Sequence, residues 1–207
     1  MALPKLNDQP KYDLTIPSSG IEIRIRPFLV KEEKVLLLAM ESQDQSQILS
    51  AIVDTLEACV LGDIDSNALT TFDIEYLFTK LRTKSVGESA KIELSCTKCE
   101  AQNPVTVPMD DVGVKGDMNT QTAKVDLGSG ISIDLQWPRY KTIANDKTVI
   151  SGGAEATFSM IKHCISHVCT DDERIKFDEE SVKERDDFVN SMTSENFGSI
   201  KTFIEAM

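Results

Sequence analysis

No stretch of this 207-residue chain approaches the roughly 20 consecutive apolar residues that a membrane-spanning helix needs. The longest apolar run is short, residues 35–40 (VLLLAM). The opening MALPKLNDQPKYD has neither a hydrophobic signal core nor a cleavage-site pattern, so the chain is expected to stay in the cytoplasm where it is made. Phosphate-binding loops are missing too: neither GxxxxGK[ST] nor GxGxxG occurs, and no GxSxG elbow is present. There are only two histidines, His163 and His167, and their HxxxH spacing lacks the internal glutamate of a zinc protease. Basic residues are in deficit, 22 Lys+Arg against 34 Asp+Glu, for a net charge of −12. A field of that sign repels phosphate, which argues against nucleic acid as a partner and favours basic protein surfaces. Cysteines number five, an odd count in a chain without a signal peptide, so reduced thiols are expected rather than a disulfide framework.

What is present suits a globular protein. Hydrophobic residues make up 41% and charged residues 27%, enough to bury a core without disulfide or metal staples. Tyr12, Leu14 and Ile16 alternate with polar residues, a turn follows at Pro17, Ser18, Ser19 and Gly20, and Ile21, Ile23 and Ile25 alternate again. That pattern predicts a β-hairpin. Leu29, Val30, Val35, Leu36, Leu38 and Ala39 fit a helix that Pro27 precedes, with a polar face at residues 31–34. After a polar turn at 42–46, Ile48, Leu49, Ile52, Val53, Leu56, Cys59 and Val60 form one stripe at 3.6-residue spacing, with Gly62 just beyond. A third helix is predicted from about Thr70, with Asp73 as a capping residue and Phe72, Ile74, Leu77, Phe78 and Leu81 as its apolar positions, ending before Gly87.

The middle reads as β. Ile92 and Leu94 alternate into Cys96-Thr97-Lys98-Cys99, and Val105 and Val107 alternate after it. A second hairpin is predicted around Gly128-Ser129-Gly130, with Val125 and Leu127 before and Ile131, Ile133, Leu135 and Trp137 after. The Gly- and Asp-rich stretch 110–122 reads as a loop. Residues 155–168 read as a helix with Phe158, Ile161, Ile165 and Val168 on one side, followed by an extended piece at 174–177. Ser181 and Glu184 form a capping box, and a terminal helix from about Thr193 places Phe197, Ile200, Phe203, Ile204 and Met207 on one stripe. The fold class is α+β: a helical body from both chain ends (1–89 and 141–207) with an N-terminal β-hairpin, and a β-rich insertion at 90–140 carrying the cysteine knuckle.

Cys96 and Cys99 are the sharpest chemical signal. Two thiolates at that spacing between strands chelate zinc, but a structural site needs four ligands. A zinc ribbon would repeat the pair some 15–20 residues on, and no repeat exists, so the further candidates are His163, Cys164, His167 and Cys169. On a helix His163 and His167 would lie one turn apart, whereas Cys164 would sit on the apolar side as a small hydrophobe. The plain reading is a knuckle turn with no metal and no cofactor. A thiol-redox site is weaker still, because a strand rather than a helix follows the pair. Acidic runs such as Asp171, Asp172 and Glu173 lie in polar stretches and read as solvated loops, not paired acid and base. For partner binding, two places stand out: Arg82 and Lys84, basic in an acidic chain, and the terminal stripe Phe197, Ile200, Phe203 and Ile204. Each has a structural reading beside it, a helix C-terminal charge in the first case and core closure in the second.

Three stretches together resemble one family: MALPKLN with YDLTIPSSG and IRPFLVKEEKVLLLAMES, then FDIEYLFTKLRTKSVGE at 72–88 leading into the cysteine knuckle, then the segment around Cys164 and the Phe-rich terminal helix. These resemble the baseplate hub assembly proteins of T4-type contractile-tailed bacteriophages, over nearly the whole chain. The resemblance implies a late-expressed, non-enzymatic assembly factor, or chaperone, for the central hub of the tail baseplate. The alternative it implies is a structural subunit retained in the hub, and a zinc-dependent or thiol-redox enzyme is the remote one. Its partners would be other baseplate hub or tail proteins, and its location the host cytoplasm or the virion baseplate. Neither the residues nor the resemblance fixes an oligomeric state.

Overall fold

The computed structural model describes residues 9–114 and 122–205. Residues 115–121 of the anticipated loop, Met207 of the terminal stripe and the first eight residues lie outside them. The architecture is α+β, with eight strands and eight α-helices among the described residues. The chain forms two compact units, residues 1–65 with 73–114, and residues 66–72 with 115–207. The two hairpins assigned to a single 90–140 insertion thus fall in different units, the first with the N-terminal helices and the second with the C-terminal ones.

In the first unit, β1 (Tyr12–Thr15) and β2 (Glu22–Ile25) pair antiparallel as the alternation requires. Gly20, at φ 69°, supplies the turn conformation that a side chain disfavours. The hairpin is tied to the end of α2 (Gln45–Cys59): Arg26 N–H donates to Cys59 O at 3.0 Å and Leu61 N–H to Arg24 O at 2.7 Å. Asp44 caps α2, accepting from the Ser46 N–H at 2.9 Å. The core takes Ile25, Leu56 and Cys59 from these elements, and Ile74, Leu77 and Leu81 from α3 (Thr71–Val86). Asp73 is fully buried in α3 and accepts the Ser18 N–H at 2.9 Å, pinning the first turn. β3 (Ser89–Ser95) and β4 (Gln102–Pro108) form a separate hairpin, in register Ile92 to Val105.

The second unit is a sheet covered on one face by helices. Four antiparallel strands run in order: β5 (Thr122–Gly128), β6 (Ile131–Gln136), β7 (Ile165–Cys169) and β8 (Arg174–Lys176). Two short helices, α4 (Tyr140–Ala144) and α5 (Lys147–Ser151), lead into α6 (Ala154–Cys164). α7 (Val182–Asn190) opens on the Ser181 and Glu184 capping box, and α8 (Ser194–Glu205) follows. Ile133, Leu135, Ile161, Ile165, Phe177, Val189 and Ile200 form one buried cluster drawn from strands and helices alike. Burying such side chains is worth about 1.5–3 kcal/mol each before chain entropy is counted. Phe72 and Trp137 meet edge to face at 4.8 Å, 88° between planes.

One element departs from the periodicity. The helix predicted over 155–168 stops at Cys164, and Ile165 starts β7 without an intervening loop residue. β7 pairs with β6 through Val168 to Ile133 and Ile165 to Leu135, with a bulge between. The bulge puts both Ile165 and Val168 on the core side. Strand alternation alone would set residues three apart on opposite faces. A bulged strand therefore reproduces the three-residue spacing of a helix.

Candidate functional site

α1 (Val30–Ser42) holds the first candidate surface, and its orientation is set by an acid. Arg26 Nη2 donates to Glu32 Oε1 at 2.8 Å and to the Ala58 carbonyl at 2.8 Å, while Nη1 donates to the Pro27 carbonyl at 2.9 Å. Glu32 Oε2 also accepts the Leu29 N–H at 2.7 Å, satisfying an orphan donor at the helix start. Burial alone would raise the Glu32 carboxyl, but hydrogen bonds from Arg26, Leu29 N–H and Lys31 outweigh it and hold it below its ordinary value. Glu32 and Ala39 thus form the inward side of α1. Three of the apolar positions that the sequence pattern assigns to this helix turn outward instead, Val30 79% exposed, Leu38 56% and Val35 47%, and Leu37 at 56% and Met40 at 64% join them. At 100° per residue Val30 and Leu37 lie together, opposite Ala39 and Glu32. An outward stripe of large apolar side chains is the kind of surface that a protein partner covers.

The basic pair does not project freely. Lys84 reaches Asp110 Oδ1 at 3.3 Å and Glu88 at 3.9 Å, and lies over the Tyr12 ring. Together with the Lys80 Nζ to Asp110 O bond of 2.7 Å, it anchors the base of the β3–β4 hairpin to α3. Arg82 is half-buried two residues before it.

The terminal stripe closes the core of its own unit. Ile200 is fully buried, and Phe197, Phe203 and Ile204 pack against the same cluster, with Phe197 also on Phe158 at 4.9 Å. These four side chains therefore fill the space above β5 and α6, and α8 offers a partner less apolar surface than its stripe suggests.

The candidate metal ligands are dispersed. Cys96 and Cys99 sit on the knuckle between β3 and β4, whereas His163, Cys164, His167 and Cys169 belong to the second unit. The helix-to-strand switch separates the histidines: His163 ends α6 and His167 lies on β7. Cys164 is fully buried, its thiol pushed up to about 12 by that burial, and Cys169 Sγ faces Asp134 Oδ2. Among the described residues, no three His, Cys, Asp or Glu side chains gather as a metal site would require.

Two clusters in the second unit escape the sequence patterns, because their members are far apart in the chain. In the first, Asp146 caps α5, accepting the Thr148 N–H at 2.9 Å, and its Oδ2 also meets Ser159 Oγ and, at 2.9 Å, His163 Nε2. Burial acts to raise the Asp146 carboxyl, but the bonds from Ser159, His163 and the backbone hold it well below the usual carboxylate range. The residue types are those of a serine hydrolase and the arrangement is not: serine and histidine both address the carboxylate, instead of the histidine addressing the serine hydroxyl. In the second, a cleft of about 360 Å³ is lined by Arg139, Lys162, His167, Lys176 and Arg185. Asp186 balances Lys162, and Asp178 and Glu179 balance Lys176. Arg185 Nε is buried there without a hydrogen-bond partner, so the cleft suits a carboxylate.

A family model described as T4 bacteriophage base plate protein matches residues 9–207. The chain belongs to that family. No curated protein and no solved structure matches it. The match covers both units of this baseplate protein, including the α1 stripe and the knuckle. No helix among the described residues is long and apolar enough to cross a membrane. A place in the tail baseplate, among other phage baseplate proteins, follows from the family.

Proposed function

We propose that this baseplate protein is a non-enzymatic assembly factor for the central hub, made in the host cytoplasm and docking hub components through α1. The observation that carries the reading is the outward stripe Val30, Leu37, Leu38 and Met40, on a helix whose inward side is fixed by the Arg26–Glu32 pair. Large apolar side chains held outward by a buried ion pair are costly in water unless something covers them. The net charge of −12 supports a protein rather than a nucleic-acid partner. The shared-acceptor geometry at Asp146 supports a non-catalytic role.

The experiment replaces Leu37 and Met40 together by aspartate. The variant is expected to fold as the parent by circular dichroism and thermal melting, and to stop hub assembly in complementation. Normal assembly by a folded variant would remove α1 as the docking face. Quantitative mass spectrometry of intermediates and mature particles separates the two roles: enrichment in intermediates alone marks an assembly factor, and fixed stoichiometry in both marks a retained subunit.

A further inference from the structure

Arg185 stands in α7 between two acids that are both committed elsewhere. Glu184 closes the capping box with Ser181, and Asp186 holds Lys162 at 2.8 Å. Asp178 and Glu179, just beyond β8, hold Lys176 at 3.5 and 3.0 Å. With 34 acidic residues against 22 basic ones, a guanidinium in this chain has no shortage of possible partners. Among the described residues, however, no carboxylate pairs with the side chain of Arg185 or of Arg139, and Arg185 Nε is buried with its donor unused. A charged donor left unsatisfied in the interior costs stability that an incoming acceptor restores. Nor is α7 free to roll this donor into water, because Val189 is buried and Phe188 meets Phe177 at 5.9 Å.

Two recesses of the second unit share Arg185 as a wall. One is the basic cleft of about 360 Å³, where Arg139 and Arg185 carry the unpaired charge. The other, about 260 Å³, is lined by Val168, Ile175, Phe177 and Phe188, with Glu180 and Glu184 beside them. A guanidinium offers Nε and Nη as a parallel pair of donors, the fork that a carboxylate accepts. A carboxylate with an apolar side chain one carbon away would set its acid in the cleft and its side chain in the apolar recess. The α-carboxylate at the end of a polypeptide is built that way. The side-chain carboxylate of an aspartate or glutamate carries no such apolar branch, and neither does a phosphate. The charges of Glu180 and Glu184 repel the acid from the apolar recess and so fix the direction of entry.

We infer that these joined recesses bind the free C-terminus of a partner polypeptide whose last residue is apolar, with Arg185 as the fork on its carboxylate and Arg139 as a second cation beside it. Capture of a chain-end carboxylate by fixed donors is a recurring mode of peptide recognition. The site belongs to the second unit and stands apart from the α1 reading, so either holds without the other.

The test titrates the full-length chain by calorimetry with four probes: an N-acetylated tetrapeptide ending in leucine, the same peptide as its C-terminal amide, the same peptide ending in glycine, and hexanoate. The leucine acid is expected to bind at one site per chain, and each of the other three about tenfold more weakly or worse, the loss of one charge-assisted contact. Arg185→Lys keeps the charge but loses the fork, and should weaken the leucine acid by about tenfold with unchanged circular dichroism. Arg139→Gln, at an exposed position, should weaken it less. The Nε–H resonance of Arg185 in the parent should move with the acid and stay still with the amide, which keeps the test decisive if Arg185→Lys does not fold. No binding of the leucine acid, equal binding of acid and amide, or full affinity in a folded Arg185→Lys variant would each overturn the inference. Hexanoate binding as tightly as the peptide would assign the site to small free acids and overturn the chain-end reading.

Discussion

Glu32 and Arg26 meet at 2.8 Å with side chains only 7% and 16% exposed, and this contact decides which side of α1 faces inward. Removing one partner of a buried pair costs about 3–5 kcal/mol. Because Arg26 keeps the Pro27 and Ala58 carbonyls, Glu32→Gln is expected near the low end, about 3 kcal/mol, in urea unfolding at neutral pH. The Glu32 carboxyl is held below its ordinary value, so its contribution is complete above the unfolded pKa and is lost as pH falls through the folded one. The gap between parent and variant should shrink on acidification below about pH 4.3, the ordinary glutamate value. A gap that stays constant there would mean that charge is not what Glu32 supplies.

Ile200→Ala should destabilise the second unit by roughly 2–5 kcal/mol, the range for truncating a fully buried aliphatic side chain. Phe203→Asp puts a charge against the same cluster and is expected to unfold that unit, abolishing hub assembly for structural reasons. If both variants melt like the parent while assembly fails, the stripe is an interface after all.

Asp146→Ala removes a helix cap and the acceptor for Ser159 and His163 in one step. The expected loss is about 1–3 kcal/mol by thermal unfolding. Because the carboxyl is held low, the loss is full at neutral pH and diminishes as acid protonates it. Ser159→Ala should leave any ester hydrolysis in a purified preparation unchanged. A drop to background would reverse the reading of this cluster.

Thiol labelling at neutral pH should separate the cysteines. Burial pushes the Cys59 thiol up to about 11 and Cys164 to about 12, so both are expected to react only on unfolding. Cys99 is exposed and Cys96, half-buried, is held lower by backbone donors, so this pair should label first. Peptide mapping after a brief alkylation pulse reads the order directly.

Much of the fold was legible from residue spacing. Both hairpins with their glycine turns, α2, α3 and the Ser181–Glu184 box all follow local rules that tertiary packing does not override here. Two places were not legible, for different reasons. At 165–169 a β-bulge imitates helical spacing, so Phe158, Ile161, Ile165 and Val168 read as one stripe although two of them are on a strand. In α1 the apolar residues outnumber the polar ones, and hydrophobicity alone cannot reveal that Glu32 is the buried residue, because its partner Arg26 precedes the helix. The outward stripe was invisible for the same reason. The Arg139–Arg185 cleft and the Asp146 cluster join residues from separate elements, which no local pattern encodes.

The direct passage from Cys164 to Ile165 has a consequence for how this protein tolerates change. With no loop residue between α6 and β7, helix rotation and strand phase are geared together. One inserted residue would turn β7 by half a period, sending Ile165 and Val168 outward and His167 into the apolar layer. Length variation among homologous chains should therefore be purged from this junction, where the backbone works as a ratchet tooth rather than a hinge.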